Sequence, residues 1–563
     1  MKKQVILLVI LLIQSILVFT NLPDIPRWYW DDGVNMEVAW NLANGEMRIY
    51  SITYPFIPHP PFFFAVLAIL LKTFGNQLIV LRSLTSILSL ATTLLIYLTC
   101  KKISGEKLAL TSAFMYAIYP DNIYWNRIGF ANSMLMFLGI LALYLFLSGR
   151  RMLSCLTVSI ALVTQFMGIG FLFSVLAALY LRRDMKEMMR GFVLCISLPV
   201  ITYTLIYFSP VRDALVFDLS YAVARFSGNI IVYSATFALL VAFYLFWRRN
   251  RNASAWTLPK RVLIAVKGAA VQDIKFMFGE KAEFILKRKP FTILVLLNLL
   301  WATRTLVPLS DEILFSAFDG VFLGYYWMGA FGIFLFAERL VALFFLPIFL
   351  VVFGFGRTDH MILPLYPFLS MGLGFLTSRV YEHAKSAVSM HGRKIAFSLT
   401  IMVLVYYPFG VLLVQDVNSF VYGNGLKRED VAGMRDVVSF IDDNTKSDDI
   451  VIATSHVCRL VDARCAEIFQ GLVAEGKNIS YYGRILPEER FVFNSSFKNA
   501  RFIVLFNDSL DKFEKEDNGG YYVSELSSWP IVHTRREFVV CVNPSYDVSA
   551  VEDKPGPDNN KGN

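Results

Sequence analysis

Long runs of apolar residues, many of them near the length of a membrane-spanning helix, are the strongest constraint on how this chain folds. Of its 563 residues, 56% are hydrophobic and 17% are charged, whereas soluble globular domains carry about 25% charged residues. A continuous block of about 20 apolar residues is long enough to cross the hydrocarbon core of a bilayer. The sequence therefore predicts a polytopic α-helical membrane protein.

The net charge of +9 does not indicate a nucleic-acid-binding protein. Basic residues follow the ends of apolar blocks, as in Lys101-Lys102 and Arg150-Arg151, and no basic stripe is combined with base-stacking aromatic residues. Lys and Arg concentrate in the cytoplasmic loops of membrane proteins. We therefore interpret the positive charge as a marker of the inner membrane face and expect no nucleic-acid partner.

Residues 60–74 decide the predicted topology. They are apolar, but as a helix they would span only roughly 22 Å, short of the ~30 Å hydrocarbon core, so we expect a helix along the outer surface. Treating them as a span would move the basic loops beyond residue 78 to the outer side, against the positive-inside rule. The N-terminus is then cytoplasmic, with about thirteen transmembrane helices. These predicted spans lie near 5–21, 78–100, 107–119, 130–148, 152–165, 168–181, 191–208, 229–247, 290–307, 321–337, 340–355, 360–380 and 395–414.

The composition changes near residue 415. Residues 430–444 predict an amphipathic helix, and 449–453, 501–506 and 537–542 predict buried strands. We therefore divide the chain into a membrane domain, residues 1–414, with outer-surface helices within 21–77, and a small extracytoplasmic α/β domain. This second domain covers residues 415–563 and ends in a disordered tail.

The sequence does not decide whether a disulfide forms in the C-terminal part. Cys458 and Cys465 lie close together there, and they are a candidate disulfide if this part is extracytoplasmic. The sequence contains no Cys-x-x-Cys, which argues against a structural zinc site.

Two adjacent carboxylates, Asp31 and Asp32, follow the first apolar block and precede a short helix predicted at 33–44. Carboxylates beside a hydrophobic helix are costly unless they lie at the water boundary and have a function. One of them, Asp32, is suited to cap the helix, which leaves Asp31 to face a cavity. A well-placed carboxylate can accept a proton from an acceptor hydroxyl as a new bond forms. We therefore name both as candidate catalytic residues.

A departing phosphate needs cationic partners, and basic residues are scarce on the predicted outer side. Arg127 and Arg357 are the candidates for binding it. We also name four candidate substrate-binding residues on this side: His59, His360, Asp121 and Trp30. The sequence leaves a divalent cation open, held by Asp31, Asp32 and Glu37, although such cations prefer more oxygen ligands than these residues supply.

Several stretches occur in an order that resembles the polyprenyl-phosphate-sugar glycosyltransferases of the GT-C superfamily, the protein O-mannosyltransferase and aminoarabinose transferase family. They are the Asp31-Asp32 pair with His59-Pro60-Pro61, the helix from Leu81-Arg82 to Lys101-Lys102, the loop from Tyr119-Pro120 to Asn126-Arg127, and Arg357 with Leu363-Pro364-Leu365-Tyr366-Pro367. The resemblance covers about residues 1–180 and 350–385.

The resemblance implies a GT-C fold and a polyprenyl- or dolichyl-phosphate-linked sugar as donor, with a protein, lipid or glycan as acceptor. It also implies that Asp31 is the catalytic acidic residue, Asp32 the second acidic residue and Arg357 a ligand of the donor phosphate. The chain departs from the family at Asn132, where members often have Asp, and at Gln165, where many have Lys.

Two other functions remain open from the sequence. An oligosaccharyltransferase shares the overall design, but the Trp-Trp-Asp-Tyr-Gly-like motif it would carry in the outer domain is not present. A lipid or sugar transporter would favour internal repeats and broken, charged helices near the middle of the membrane, and no repeat is visible. We therefore expect a multi-pass membrane glycosyltransferase.

Overall fold

A computed structural model gives the architecture of the chain. The residues that it describes are 2–26, 29–45, 60–209, 212, 215–216, 329, 332–333, 337–354, 359–387, 413–414, 416–423, 431–476, 493–506, 526, 528–535 and 538–547.

The N-terminal half of the described chain is helical. Its helices are α1 (Lys2–Phe19), α2 (Trp30–Ala43), α3 (Phe62–Phe74), α4 (Leu78–Ser104), α5 (Glu106–Ala117), α6 (Pro120–Asn126), α7 (Ala131–Leu147), α8 (Arg151–Leu162), α9 (Ile169–Leu181) and α10 (Met185–Tyr207), with a 3₁₀ turn at Phe166–Gly168.

Two further apolar helices follow in the described residues, α11 (Arg339–Gly354) and α12 (Tyr366–Ala387), the second preceded by a 3₁₀ segment at Asp359–Leu365. Among the described helices, three are long and apolar enough to cross a membrane, or four if α6 and α7, which meet at 118°, form one broken span. Five shorter apolar helices in the described residues are 10–17 residues long, and those at Arg151–Leu162 and Phe166–Leu181 lie where the sequence predicts short spans.

The helix bounds agree with most of the expected elements, and α3 is a separate 13-residue helix that packs on α2. The spans predicted at 229–247, 290–307, 321–337 and 395–414 lie wholly or largely outside the described residues. One expectation was incomplete. The stretch 120–129, interpreted as a loop, contains α6, because Pro120 stands at the first helical turn, where its missing N–H leaves no carbonyl unsatisfied.

The C-terminal α/β unit, residues 431–547, contains one five-stranded sheet. The strands are β1 (Ile450–Ala453), β2 (Arg464–Glu467), β3 (Ala500–Phe506), β4 (Ile531–Arg535) and β5 (Phe538–Val542), in the order β2-β1-β3-β5-β4. β1 pairs in parallel with β2 and β3, whereas β5 is antiparallel to its neighbours. The helices of this unit are α13 (Val431–Asn444), α14 (Ser455–Cys458) and α15 (Ile468–Ala474).

Strands β1, β3 and β5 and helix α13 lie where the sequence predicts them, while β2 and β4 were not expected. β2 has only four residues and carries Arg464 and Glu467 at its ends, and β4 is an edge strand with mostly exposed side chains. Neither has the continuous apolar run that identifies a buried strand. Cys458 and Cys465 form a disulfide, which joins α14 to β2.

The two parts of the molecule meet at α2. Helix α14 follows the carboxyl end of β1 and packs against α2. In parallel sheets, the loops at the carboxyl ends of the strands are where ligands usually bind. This edge of the small sheet is therefore directed at the helix that begins with the two candidate carboxylates.

Candidate functional site

Asp32 starts the site by closing the first turn of α2. Its Oδ2 accepts a hydrogen bond from the backbone N–H of Tyr29 at 3.1 Å, forming a capping box with the residue that precedes the helix. The helix begins at Trp30, three residues before the predicted start at 33, so Asp32 caps it from within its first turn and not from the position before the helix.

The carboxylate of Asp32 accepts two further hydrogen bonds. Arg82 of α4 donates from Nη2 to Asp32 Oδ2 at 2.7 Å, and the backbone N–H of Gly129 donates to Oδ1 at 2.8 Å. Both charged side chains are 0% exposed. A fully buried pair of this kind holds three chain segments together, so Asp32 acts as a structural anchor here.

Gly129, just before α7, is hydrogen-bonded to α2 through both its N–H and its carbonyl group. Besides its N–H bond to Asp32, its carbonyl oxygen accepts from Asn35 Nδ2 at 2.7 Å. A Cβ at this position would overlap the buried side chain of Leu81. Only glycine allows the backbone to approach both α2 and α4 this closely.

Gly129→Ala is expected to lower the free energy of unfolding by about 1–3 kcal/mol, because an extra methyl group in a packed site forces its neighbours apart. Thermal unfolding in detergent measures this loss. In a Leu81→Ala background the overlap is relieved, so the same glycine substitution should cost much less. An equal loss in both backgrounds would contradict the proposed contact.

Arg127 lies at the carboxyl end of α6 and is 0% exposed. Its guanidinium donates to the backbone carbonyls of Leu17, Thr20 and Ile25, with Nε to Ile25 at 2.9 Å and Nη2 to Thr20 at 2.6 Å. The last carbonyls of a helix have no intrahelical partner, and Arg127 satisfies that of Leu17 in α1 as well as two carbonyls just beyond the helix. It also lies over the ring of Phe420, 5.3 Å from the centroid.

This geometry corrects the expectation that Arg127 binds a donor phosphate. Four hydrogen bonds to main-chain oxygens occupy its guanidinium, which has five N–H donors in total. Arg82 also binds the segment between α1 and α2, donating to the carbonyls of Leu22 and Pro26 at 3.0 and 2.7 Å. The two arginines together fix the segment that leads from α1 to α2.

Asp31, in contrast, is half-buried at the first turn of α2. Burial and, to a smaller extent, the neighbouring charge of Asp32 raise the pKa of Asp31 from 3.8 to about 7. A carboxylate with a pKa near neutrality is a much stronger base than an ordinary Asp. Of the two adjacent carboxylates, Asp31 is therefore the one suited to exchange a proton.

An aromatic cluster lies beside this turn. The ring of Tyr29 is 5.8 Å from that of Trp125 and 5.4 Å from that of Phe130, and His360 stacks on Phe130 with 4.3 Å between ring centroids. His360 is half-buried. The structure thus brings His360, predicted as a substrate-binding residue, into one cluster with Tyr29, the residue that precedes α2.

The two departures from the family, Asn132 and Gln165, contact each other. Gln165 Nε2 donates to Asn132 Oδ1 at 3.0 Å, and Asn132 Nδ2 donates to the backbone oxygen of His360 at 3.1 Å. This uncharged pair connects the start of α7 and the turn after α8 to the segment that follows residue 357. The two substitutions are therefore one structural feature.

The remaining predicted site residues are placed differently. Asp121 is half-buried and accepts a hydrogen bond from Tyr119 at 3.3 Å, with the charge of the buried Asp416 close enough to act on it. His59 and Arg357 lie outside the described residues, and the backbone of Trp30 begins α2 while its side chain also lies outside them.

The candidate cation ligands are not assembled as a group. Across the described ranges, no cluster of three or more His, Cys, Asp or Glu residues could hold a metal ion. Asp32 is bonded to Arg82 and to two backbone N–H groups, and Glu37 is directed to the C-terminal α/β unit, where its charge acts on Arg459.

Sequence reasoning missed Arg82, Gly129 and Arg459 as parts of this region. For Arg82 a signal was present, since an arginine near the end of an apolar helix needs a partner or a cavity. The other two carry no local signal, because their importance depends on which distant segment packs on them.

Comparisons with known proteins support the fold. A family model described as dolichyl-phosphate-mannose-protein mannosyltransferase matches residues 58–212, a range that includes Arg82 and Arg127 but begins after Asp31. Among curated proteins, none matches the chain by sequence.

Two solved structures are similar over most of the chain. ArnT from Cupriavidus metallidurans in the apo state has 12% identity and a TM-score of 0.54, covering 97% of this chain and 99% of its own. The oligosaccharyltransferase of Archaeoglobus fulgidus in the apo form has 15% identity and a TM-score of 0.51, covering 90% of this chain and 70% of its own. At these identities the likeness shows a shared fold, which agrees with the fold that the resemblance implies.

Proposed function

We propose that this protein is an integral-membrane glycosyltransferase that transfers a monosaccharide from a polyprenyl- or dolichyl-phosphate donor to an acceptor hydroxyl, with Asp31 as the general base. The observation that carries this proposal is the division of labour between two adjacent carboxylates. Asp32 is fully buried and bonded to Arg82 and Gly129, whereas Asp31 is half-buried with a raised pKa. The family match and the ArnT-like fold supply the substrate class.

The reaction requires one bond to form and one to break. The acceptor oxygen bonds to the anomeric carbon, the bond from that carbon to the phosphate oxygen breaks, and the acceptor proton goes to Asp31. The lipid phosphate leaves as an anion, and cationic groups stabilise its charge without protonating it. Since Arg127 is bound to backbone carbonyls, we assign the phosphate to Arg357, which the family resemblance also indicates.

We infer that the aromatic cluster and the pair Asn132–Gln165 help to position the groups that bind the substrate. His360 is held between the ring of Phe130 and the hydrogen bond from Asn132 to its backbone. The pair Asn132–Gln165 is bonded to the backbone of His360 within the 3₁₀ segment Asp359–Leu365, and Arg357 precedes this segment by two residues in the sequence. We propose that this pair positions the phosphate ligand.

The orientation of the chain belongs to the same proposal. We place the N-terminus in the cytoplasm and the C-terminal α/β unit outside, with the boundary between the two domains near residue 414. The Cys458–Cys465 disulfide supports this orientation, because disulfides persist in oxidising compartments.

The direct test is transfer of labelled sugar by purified protein in detergent, with a series of polyprenyl-phosphate sugars as donors and with peptide, lipid and glycan acceptors. Mass spectrometry of lipid that copurifies with the protein identifies the donor. A protein that catalyses counterflow in proteoliposomes, with no transfer to any acceptor, would instead be a transporter.

The pH dependence of transfer provides a second test. A general base must be ionised to accept a proton, so kcat/KM should rise with pH and level off above the pKa of Asp31. With that pKa at about 7, the rate should fall about tenfold for each pH unit below 6.5. A profile that stays flat down to pH 5 would exclude Asp31 as the titrating base.

An oligosaccharyltransferase is the second candidate, because the archaeal enzyme shares the fold. The same archaeal enzyme was also solved tethered to an acceptor peptide containing an Asn-Val-Thr sequon. A sequon peptide offered to this protein with lipid-linked oligosaccharide separates the two functions. Transfer to the asparagine of that peptide would favour the second candidate.

A further inference from the structure

Arg459 is an unexpected cation at the junction of the two parts of the molecule. It follows α14 directly, and α14 packs against α2. Its neighbour Cys458 is bonded to Cys465, and the turn is braced by hydrogen bonds from the N–H groups of Val457 and Cys458 to the Thr454 carbonyl at 3.0 Å. The backbone that carries Arg459 is therefore fixed.

The guanidinium of Arg459 has unused donors. The residue is half-buried, and both Nε and Nη2 are shielded from solvent without a hydrogen-bond acceptor anywhere in the described part of the chain. Burial lowers the pKa of Arg459 to about 10, while the charge of Glu37 on α2 acts in the opposite direction. A buried N–H group that makes no hydrogen bond is costly, and a bound ion or ligand is one of the explanations for such groups in native proteins.

The position of Arg459 relates it to the proposed base. Glu37 follows Asp31 by six residues, about 9 Å along the axis of α2. Asp32 and Asn35 bond to Gly129, so that side of α2 faces the membrane helices. Glu37 lies instead on the side that α14 covers. Arg459 thus lies against the same helix that carries Asp31, on the side that α14 covers.

We propose that Arg459 binds an oxyanion of a substrate, a phosphate or a carboxylate, between α14 and α2. Planar N–H pairs of arginine match the oxygens of such groups and form short, strong hydrogen bonds with them. Glu37 competes with the ligand for the same cation and keeps the guanidinium in place when the ligand is absent. This inference rests on the proposed function, since it extends the substrate path from Asp31, and it assigns a binding role to the C-terminal α/β unit.

Equilibrium binding tests this assignment without reference to turnover. Two probes are used with the full-length protein in detergent: a polyprenyl phosphate, which represents the lipid donor, and inorganic phosphate, which represents a group that arrives from water. Arg459→Gln should weaken binding of at least one probe by tenfold or more, and the probe affected identifies the source of the oxyanion. Arg459→Lys should retain part of the affinity, because it keeps the charge but loses the planar donors.

Arg464→Gln is the matched control. It removes the same charge from the same disulfide-closed loop, but Arg464 is 52% exposed and lies at 3.4 Å from Asp448, so both affinities should stay within twofold of the wild type. Thermal unfolding of each variant shows whether it is folded. If Arg459→Gln binds both probes as tightly as Arg464→Gln and the wild type do, the proposal is overturned.

Glu37→Gln separates ligand binding from a simple ion-pair latch. If Glu37 competes with the ligand, its removal should tighten binding about threefold, opposite in sign to Arg459→Gln. If the two residues only hold the domains together, both substitutions should weaken binding alike, and that result would contradict the assignment. A loss of binding in Arg459→Gln alongside normal transfer by Asp31→Asn would disprove the proposed base while leaving the oxyanion site intact.

Discussion

Asp31→Asn is expected to reduce sugar transfer by about 10²- to 10⁴-fold, the contribution of a positioned general base. The amide has nearly the same shape as the carboxylate but cannot accept the acceptor proton. Single-turnover transfer from a labelled polyprenyl-phosphate sugar measures the loss, and the equilibrium affinity for the donor should change little.

The same variant should not be less stable than the wild type. The pKa of Asp31 is about 7 in the folded protein and 3.8 when unperturbed, so between these pH values the folded state holds a proton that the unfolded state has lost. The free energy of unfolding therefore falls as pH rises through this window. At pH 8 the substitution removes the charge from a half-buried site and should raise stability by about 1 kcal/mol after solvent screening. Full activity in a well-folded Asp31→Asn protein would eliminate the proposed mechanism.

Asp32→Asn, the same chemical change one residue later, is expected to lower the free energy of unfolding by about 3–5 kcal/mol. It leaves Arg82 buried at 0% exposure without its counter-ion, and an uncompensated buried charge is strongly destabilising. Thermal unfolding and yield of monodisperse protein in detergent report this effect. Its activity should fall in proportion to the fraction of protein that is unfolded.

A double-mutant cycle identifies the pair as the cause. Arg82→Met alone should destabilise the protein by a similar amount, while Asp32→Asn combined with Arg82→Met should recover part of the loss, because neither charge is then left alone. Strictly additive losses would mean that the two side chains do not stabilise each other. The contrast between residues 31 and 32 distinguishes a base from an anchor within one helical turn.

Asp31 and Asp32 show how much of the site the sequence alone could predict. Their position after an apolar helix and before a short helix predicted that one would cap and the other would face a cavity, because a single N-cap needs only one carboxylate. The capping by Asp32 follows from local chain geometry. Its bonds to Arg82 and Gly129 do not, since those residues lie 50 and 97 positions further along the chain.

The arginines show the opposite case. The scarcity of basic residues on the predicted outer side favoured Arg127 as a phosphate ligand, but the backbone carbonyls of Leu17, Thr20 and Ile25 accept hydrogen bonds from the same donors. Arg459 carried no signal because it belongs to a polar segment in which exposed arginines are common. Its unpaired donors depend on the packing of α14 against α2.

The sequence by itself determined the apolar helices of the described chain, the two short helices α2 and α3, the acidic pair and strands β1, β3 and β5, because periodicity, length and capping are local properties of the chain. Only the tertiary structure decided which carboxylate is paired with a buried arginine, which arginines are engaged by backbone carbonyls and which helix the small sheet faces. Those outcomes depend on competition between distant segments for the same hydrogen bonds. A pattern along the chain records which groups are available for that competition but not which of them will meet.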